Sequence, residues 1–307
     1  MELVQKISQF PIGLPHPVVT LGNFDGVHLG HRHLIKRLIA LAKERNGVSV
    51  LLTFRPHPVK ILHPEKAPSL IGGYDDKLAI LEELGIDWVL EIPFDRDFSE
   101  WEAGRFIDEL LVDTVGVKYF LAGPDCHFGK GRAGDADMLS EYGTRSDFEV
   151  ESVPPIEAEG DIVSSSRIRR LVSDLGDVET AARLLGRPMR IRGDVVKGEQ
   201  RGRLLGFPTA NLRLETELVP KTGVYAATAH RHGQRYKSVV NVGHRPTFGK
   251  SSLSIEAFLL DFDDNLYGES LALDLIARLR DEQRFDGIDA LKAQINLDIE
   301  KGRALLS

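Results

Sequence analysis

The sequence predicts two domains: an α/β domain with a doubly wound parallel sheet, followed by a small antiparallel β-barrel domain with a C-terminal helix. Two patterns in the 307 residues predict this fold class. Before Gly186, short apolar runs alternate with segments of helical periodicity, as in strands buried between helices. After Gly186, short strands follow one another, separated by turns. We therefore predict domains at residues 1–186 and 187–307, each long enough to bury its own core.

The first domain begins with a strand, a glycine-rich turn and a helix. An apolar run ends at Leu21, the turn Gly-Asn-Phe-Asp-Gly-Val-His-Leu-Gly-His occupies residues 22–31, and apolar residues recur at helical spacing over residues 33–45. The other elements predicted here are strands at 48–54, 88–92, 119–122 and 148–153, and helices at 75–84, 101–115 and 178–185. This alternation favours a parallel sheet.

Two histidines open the first helix. His28 and His31 are three residues apart, so we expect both imidazoles on one face, beside the unpaired N–H groups that attract anions to a helix start. The pair suits nucleotide phosphates, because imidazoles can stabilise the charge that develops as a pyrophosphate leaves. A P-loop is excluded, since no Gly-Lys-Ser/Thr follows the glycines. The spacing alone leaves two alternatives open: a zinc half-site, or polar residues at a helix start.

The turn resembles a known signature. It is similar to the G-x-F-D-G-x-H-x-G-H motif of the nucleotidylyltransferase superfamily, in the form carried by bacterial bifunctional riboflavin kinase / FAD synthetases. The resemblance implies a Rossmann-like domain in which His28 and His31 are catalytic. The ATP-binding residues that it implies in the turn are Gly22, Phe24, Asp25, Gly26, His28 and His31.

Two loops follow predicted strands, where open α/β sheets bind ligands. His57 lies between two prolines after the strand at 48–54. The loop at 123–135 resembles the family's G-x-D/N-F-x-F-G-x-x-x-x-G-D segment, with Cys126 in place of the usual Phe. We expect His57, Asp125 and Phe128 to bind the flavin.

Serine and arginine residues occupy the start of a further predicted helix, at residues 164–169. Capping of the helix explains part of this pattern, because serine is a favoured N-cap residue. The segment also resembles the family's Ser-Ser-Thr-x-x-Arg, which implies that Ser165, Ser166 and Arg169 contact ATP phosphates. Ser166 replaces the family's Thr and keeps the hydroxyl.

The second domain carries another glycine-rich segment, residues 197–211, among strands predicted at 189–196, 223–229, 236–242, 254–261 and 271–279; a helix at 288–306 ends the chain. Glycine N–H groups can hold phosphates, while the Thr209 hydroxyl and the Asn211 amide oxygen are hard ligands suited to Mg²⁺. The segment resembles the G-x-x-R-G-x-x-x-G-F-P-T-A-N motif of riboflavin kinases. The ATP-binding residues that this implies are Gly198, Arg203, Gly206, Pro208, Thr209 and Asn211, and the last two are the expected metal ligands.

Glu256 lies in an alternating strand, where a glutamate usually faces solvent. The sequence on either side of Glu256 resembles that of riboflavin kinases. Residues 241–248 are similar to the family's N-x-G-x-R-P-T-F, and residues 261–268 are similar to its D-L-Y-G turn. The resemblance implies that Glu256 is the catalytic base for the 5′-hydroxyl of riboflavin. The family's L-R-x-E-x-x-F implies flavin-binding roles for Arg280, Glu282 and Phe285.

Composition narrows the choice of partners. A net charge of −7 and a pI near 5.8 argue against nucleic-acid or anionic-membrane binding. Cys126 is the only cysteine, which excludes an internal disulfide and a cysteine-based zinc site. No apolar run approaches the roughly 18 residues of a membrane helix, and the N-terminus lacks a signal-peptide core. We expect a cytoplasmic protein with small-molecule substrates.

Together these features predict an enzyme that phosphorylates riboflavin to FMN in its C-terminal domain and adenylylates FMN to FAD in its N-terminal domain, with ATP and Mg²⁺. Two alternatives remain. The N-terminal domain could activate another phosphate compound, since related transferases share the H-x-G-H turn. The protein could also be a flavin-binding regulator without turnover, although the intact candidate residues count against this.

Overall fold

The computed structural model describes residues 1–198, 202, 206–247 and 250–306, and the side chains of all of these except 245–247 and 250–252. Contacts divide the chain into two compact units. The first unit comprises Met1–Pro68 and Asp75–Val163, and the second comprises Ser69–Tyr74 and the residues from Ser164 onward.

The first unit contains a six-stranded parallel sheet in the order β1-β4-β3-β2-β5-β6. Its strands are β1 (Glu2–Val4), β2 (Val18–Leu21), β3 (Ser49–Arg55), β4 (Trp88–Pro93), β5 (Tyr119–Ala122) and β6 (Glu149–Ser152). A short hairpin of β7 (Glu157–Ala158) and β8 (Asp161–Ile162) follows. The predicted parallel sheet is confirmed; the edge strand β1 was missed, because it is partly exposed and has no buried apolar run.

Both faces of this sheet are buried. Val19 and Val50 belong to one apolar core, whereas Val18 and Leu51 belong to another. Because side chains alternate along a strand, each central strand contributes to both cores, which is the pattern of a doubly wound sheet.

The helices of this part of the chain are α1 (Leu29–Glu44), α2 (Pro58–Leu62), α3 (Tyr74–Leu84), α4 (Arg96–Ser99), α5 (Ala103–Arg105), which continues as a π-helical segment over Phe106–Val115, and α6 (Ala136–Ser146). Short 3₁₀ turns lie at Ile7–Gln9, Pro64–Lys66 and Lys130–Arg132. The sequence did not predict α6, because most of its residues are polar or small and only Leu139 and Gly143 are buried.

The second unit contains a closed antiparallel barrel in the order β10-β13-β12-β11-β14-β9. Its strands are β9 (Met189–Val196), β10 (Ala210–Leu214), β11 (Gly223–Arg231), β12 (Gln234–Thr247), β13 (Lys250–Leu259) and β14 (Ser270–Arg280). The predicted barrel is confirmed. No sequence pattern predicts β10, because its first two residues belong to the glycine-rich segment 197–211.

Helices accompany the barrel at both ends of its sequence. They are α7 (Ser165–Arg169), continuing as a π-helical segment over Arg170–Leu175, α8 (Val178–Leu185) and the C-terminal α9 (Ile288–Leu305). The helical segment before the barrel contacts the barrel domain directly. The Lys221 N–H donates to the Val172 carbonyl at 2.9 Å, and α8 packs on β9 and β14. The predicted domain boundary at Gly186 therefore lies inside the second compact unit, and its functional meaning stays a prediction.

Candidate active sites

The glycine-rich turn joins the carboxyl end of β2 to the start of α1. His28 is the N-cap of α1, and its Nδ1 accepts a hydrogen bond from the His31 backbone N–H at 3.3 Å. Phe24 and Val27 both have positive φ, at 48° and 39°. This conformation is unusual for non-glycine residues, especially β-branched ones, and such backbone strain clusters at functional sites.

The structure brings the two predicted histidines into direct contact. The rings of His28 and His31 are stacked, with centroids 3.7 Å apart and planes inclined by 15°. Phe24 and His31 form an edge-to-face pair, with ring centroids 5.2 Å apart. A Cβ at Gly30 would lie only 3.2 Å from the His28 ring. The absence of a side chain at this position therefore allows the His28 ring to stack on His31.

Burial lowers the pKa of His31 well below its usual range, and the neighbouring His28 and Lys77 lower it further. His31 is therefore neutral near pH 7 in the free protein. Because protonation is easier in the unfolded chain, this group favours folding most above its unfolded pKa of about 6.5, and the contribution is lost as the pH falls toward the folded value. Negative charge beside the ring would raise the pKa again.

Two buried polar atoms of this turn, Asn23 Oδ1 and His31 Nδ1, have no hydrogen-bond partner within the described residues. A buried polar atom without a partner costs about 1–3 kcal/mol. Such atoms are explained where a ligand or water completes the site.

A lysine that sequence reasoning missed lies beside the turn. The Lys77 ammonium, on α3, donates to the Asn23 carbonyl at 2.8 Å and to Thr53 Oγ1 at 2.9 Å. Burial lowers the pKa of Lys77 to about 8, while the negative charges of Glu91 and Asp25 oppose the shift. No sequence pattern indicates a role for this residue, because a single lysine in an amphipathic helix normally faces solvent.

The predicted flavin-binding residues lie in different environments. His57 caps α2, accepting from the Val59 N–H at 3.3 Å. Asp125 is exposed, whereas Phe128 is only 3% exposed and packs on Phe106 with ring centroids 5.0 Å apart. In this conformation Phe128 is a core residue, and its flavin-binding role stays a prediction.

The neighbouring Cys126 is buried too. Burial raises the pKa of its thiol to about 12. The residue that replaces the family's Phe is therefore uncharged and apolar in character, without the thiolate that a nucleophile requires.

Ser165, Ser166 and Arg169 belong to the second unit. Ser164, not Ser165 or Ser166, caps α7: its Oγ accepts from the Arg167 N–H at 3.3 Å. Arg169 Nε donates to the Ser69 carbonyl at 2.8 Å. The capping explanation therefore accounts for Ser164, and the ATP contacts of the other three residues stay predictions.

Three neighbouring strands of the barrel align candidate residues of the predicted kinase site. Asn211 on β10 and Asn241 on β12 are the direct cross-strand partners of Glu256 on β13, so the three side chains lie on one face. Two hydroxyls orient the Glu256 carboxylate: Thr209 Oγ1 donates to Oε2 at 3.3 Å and Ser254 Oγ donates to Oε1 at 3.2 Å.

The glycine segment packs closely on these side chains. A Cβ at Gly198 would collide with the amide group of Asn211, and one at Gly202 would lie 3.1 Å from Thr209 Oγ1. Gly206 has a φ of 92°, a value that favours glycine. The predicted ATP ligand Arg203 lies outside the described residues. Close approach thus explains the glycines at positions 198 and 202, and the positive φ explains the one at position 206.

A cavity of about 560 Å³ opens beside Thr209 and Pro208. The turn at residues 262–267, between β13 and β14, forms its other wall. Its volume lies within the range of sites for small-molecule ligands. A phosphate held at the glycine segment would therefore have space for the rest of a nucleotide beside it.

The predicted flavin-binding residues at and after the end of β14 contact other parts of the barrel domain. The Arg280 guanidinium donates to both carboxylate oxygens of Asp298 on α9 at 2.8–3.0 Å, and it also lies 5.8 Å from the Phe285 ring. Glu282 Oε1 lies against Gly243, which belongs to the predicted N-x-G segment. Two motifs that are distant in sequence therefore meet, and the flavin-binding roles of Arg280, Glu282 and Phe285 stay predictions.

The turn on a parallel sheet and the oriented carboxylate on a barrel are typical of enzymes that transfer phosphorus-containing groups, with one such site in each unit. Residues 14–167 match the model of the FAD synthetase family, and residues 185–306 match that of the riboflavin kinase family. The chain belongs to the family of bifunctional riboflavin kinase/FMN adenylyltransferases. The resemblance inferred from the motifs is confirmed, as is the order of the two domains.

Curated relatives that match nearly the whole of this chain carry the same family name. The Pseudomonas fluorescens protein is 40% identical over 306 residues, covering 99% of this chain and 98% of its own. The Escherichia coli K12 protein is 39% identical over 282 residues, covering 92% and 90%. A crystal structure from Streptococcus pneumoniae, described as a macrolide-efflux protein, covers 98% of both chains with 32% identity and a TM-score of 0.89.

In the part of the chain that the structure describes, no helix is long and apolar enough to cross a membrane. Across these same residues, no group of three or more His, Cys, Asp or Glu side chains is arranged to hold a metal ion.

Proposed function

We propose that the barrel transfers the γ-phosphoryl group of ATP to riboflavin through Glu256, and that the turn bearing His28 and His31 supports transfer of AMP from ATP to FMN. The observation that carries this proposal is the orientation of the Glu256 carboxylate by Thr209 and Ser254 next to the buried Asn211. Incubation of the protein with riboflavin, ATP and Mg²⁺, followed by chromatography, tests it: FMN and then FAD should appear. FMN without FAD would favour another substrate for the first domain, and bound flavin without product would indicate a regulator.

Glu256 acts as the general base of the kinase reaction. Thr209 and Ser254 donate to different oxygens of the carboxylate, and a carboxylate, with roughly four lone-pair sites, can accept the proton of the 5′-hydroxyl in addition. As the hydroxyl oxygen bonds to the γ-phosphorus, the bond from that phosphorus to the bridging oxygen breaks and ADP leaves. Loss of the proton makes the primary alcohol a competent nucleophile.

Thr209 and Asn211 fit a magnesium ion by their chemistry. Both supply neutral hard oxygens, and the backbone of Gly198 lies directly against the Asn211 amide, where a phosphate would approach both. When bound, Mg²⁺ neutralises charge on the phosphates and helps to orient them. Both residues would bind the ion in addition to positioning the nucleotide.

The adenylyl transfer needs no strong base, because the FMN phosphate is already an anionic nucleophile. It attacks the α-phosphorus of ATP, and the bond to the β-phosphate breaks to release pyrophosphate. The stacked His28 and His31 would donate hydrogen bonds to the phosphates as charge develops. Ser165, Ser166 and Arg169 stay predicted ATP ligands on the resemblance alone.

Thr209→Val is expected to lower FMN formation by about 10²-fold and to raise the Mg²⁺ concentration needed for half-maximal activity, because a metal ligand and a Glu256 partner are both lost. Ser254→Ala is the matched control, since it removes the other hydroxyl on Glu256 without removing a proposed metal ligand. If both variants show the same Mg²⁺ dependence as the native protein, Thr209 does not bind the ion.

A fragment of residues 187–307 is expected to fold and to make FMN but no FAD. A longer fragment that starts at Ser164 should do the same with a higher melting temperature, because it keeps the apolar face of α8 on the barrel. Both fragments are compared by calorimetry and by the two assays. A soluble, folded but inactive fragment would show that the two activities are not separable in this way.

The proposed partners are riboflavin, FMN and ATP. The cytoplasmic location and the absence of nucleic-acid and membrane partners stay predictions from the sequence.

A further inference from the structure

Lys77 connects the ends of two neighbouring strands in the first unit. Asn23 follows β2 by two residues, and Thr53 lies near the carboxyl end of β3. The Lys77 ammonium donates to the backbone oxygen of the first and the side-chain oxygen of the second. One side chain thus fixes the start of the turn relative to the neighbouring strand.

The turn needs such fixation. Phe24, the residue after Asn23, has a positive φ, and Val27 has one as well. Strained backbone conformations persist only where the surroundings hold them firmly. The hydrogen bond to the Asn23 carbonyl acts on the peptide group directly before the first strained residue.

Packing alone does not explain an ammonium at this position. Burial disfavours the charged form of Lys77, and the cation Arg55 acts in the same direction. The nearby carboxylates of Glu91 and Asp25 offset part of this effect. Glu91 is also engaged elsewhere, since it accepts from Gln5 Nε2 at 2.8 Å.

Lys77 also acts on the histidine pair through its charge. Together with His28, it disfavours protonation of His31. The same turn contains the two buried atoms without a partner in the described structure, Asn23 Oδ1 and His31 Nδ1. The residue whose backbone Lys77 holds therefore also presents a side-chain atom that a ligand can satisfy.

We propose that Lys77 is a positioning residue for adenylyl transfer: it holds the turn so that His28 and His31 meet the substrate phosphates in their stacked arrangement. This rests on the proposed function of the first domain. Lys77 does not itself need to touch the substrate.

The test compares three variants of the full chain. Lys77→Met keeps the apolar stem and removes the donor and the charge. Thr53→Val keeps the charge and removes one acceptor of Lys77, together with the hydrogen bond of 3.4 Å that Thr53 Oγ1 itself donates to the Asn23 carbonyl. Lys118→Met is the matched control, because Lys118 forms an exposed ion pair with Asp147 in the same unit. The measurements are kcat and KM for FAD formation from FMN, the kinase rate from riboflavin, and the pKa of the His31 ring by NMR.

Lys77→Met should lower kcat for FAD formation by about 10²-fold, as expected for misplaced reacting groups, with a smaller change in KM and an unchanged kinase rate. The His31 pKa should rise, because one nearby positive charge is gone, while burial and the neighbouring His28 still lower it. Asp25, Arg55 and Glu91 are the charged groups that face Lys77 itself. Thr53→Val should lower kcat by about tenfold and leave the His31 pKa near the native value. Lys118→Met should behave as the native protein.

A folded Lys77→Met variant with native kcat would overturn the proposal, as would a loss of kcat without any change in the His31 resonances. If Lys77→Met does not fold, Thr53→Val decides, and native kcat in that variant overturns the proposal. A native chain that makes no FAD would refute the proposed function instead, while the His31 pKa would still test the link from Lys77 to the histidine.

Discussion

His28→Ala and His31→Ala are each expected to lower FAD formation from FMN by about 10²-fold or more and to leave riboflavin phosphorylation nearly unchanged. Each substitution removes an imidazole that stabilises the charge developing on the departing pyrophosphate, and loss of such a donor costs about 10² to 10³ in rate. Because the rings are stacked, each substitution also removes the partner that positions the other ring. Steady-state rates of the two reactions, measured separately, check this prediction.

His33→Ala provides the control on the same helix. His33 is exposed, so its removal should change neither rate. The competing interpretation of the pair as a zinc half-site makes a different prediction: the native protein would contain stoichiometric zinc, and both variants would lose the metal together with the fold. Metal analysis and circular dichroism of the three variants distinguish the two interpretations.

The general architecture was predictable because it depends on local patterns. Apolar runs of strand length between amphipathic segments indicate a parallel sheet, and the change of pattern after Gly186 indicates an antiparallel barrel. The motif order identified the family, which the comparisons confirm. The contact between His28 and His31 also followed from their spacing, although their ring stacking did not.

What escaped prediction depends on tertiary contacts. A pattern of polar and apolar residues does not reveal that the Lys77 ammonium lies on the Asn23 carbonyl, or that Arg280 is held by the buried Asp298. The burial of Phe128 in the core was not predicted either, because a phenylalanine in a glycine-rich loop can face the core or a ligand; its flavin-binding role stays a prediction. The strand β10 was not predicted, since Asn211, a predicted site residue of the glycine-rich motif, also pairs in the sheet.

Glu256→Gln is expected to lower FMN formation by about 10² to 10⁴-fold, the range that general-base catalysis supplies. Glutamine keeps the size of the side chain, and its amide oxygen can still accept one of the hydrogen bonds from Thr209 and Ser254. Riboflavin and ATP should therefore still bind, which equilibrium titration checks. The lost step is acceptance of the proton from the 5′-hydroxyl.

Two reactions measured in parallel make this prediction specific. FMN adenylylation is assigned to the other domain and begins with a charged nucleophile, so the Glu256→Gln protein should convert supplied FMN to FAD at close to the native rate. Glu215→Gln, at an exposed position of the same unit, should leave both rates unchanged. Equal loss of both activities in Glu256→Gln would indicate misfolding or a shared site. A native kinase rate would remove Glu256 from the mechanism, and with it the proposed role of the two hydroxyls that orient its carboxylate.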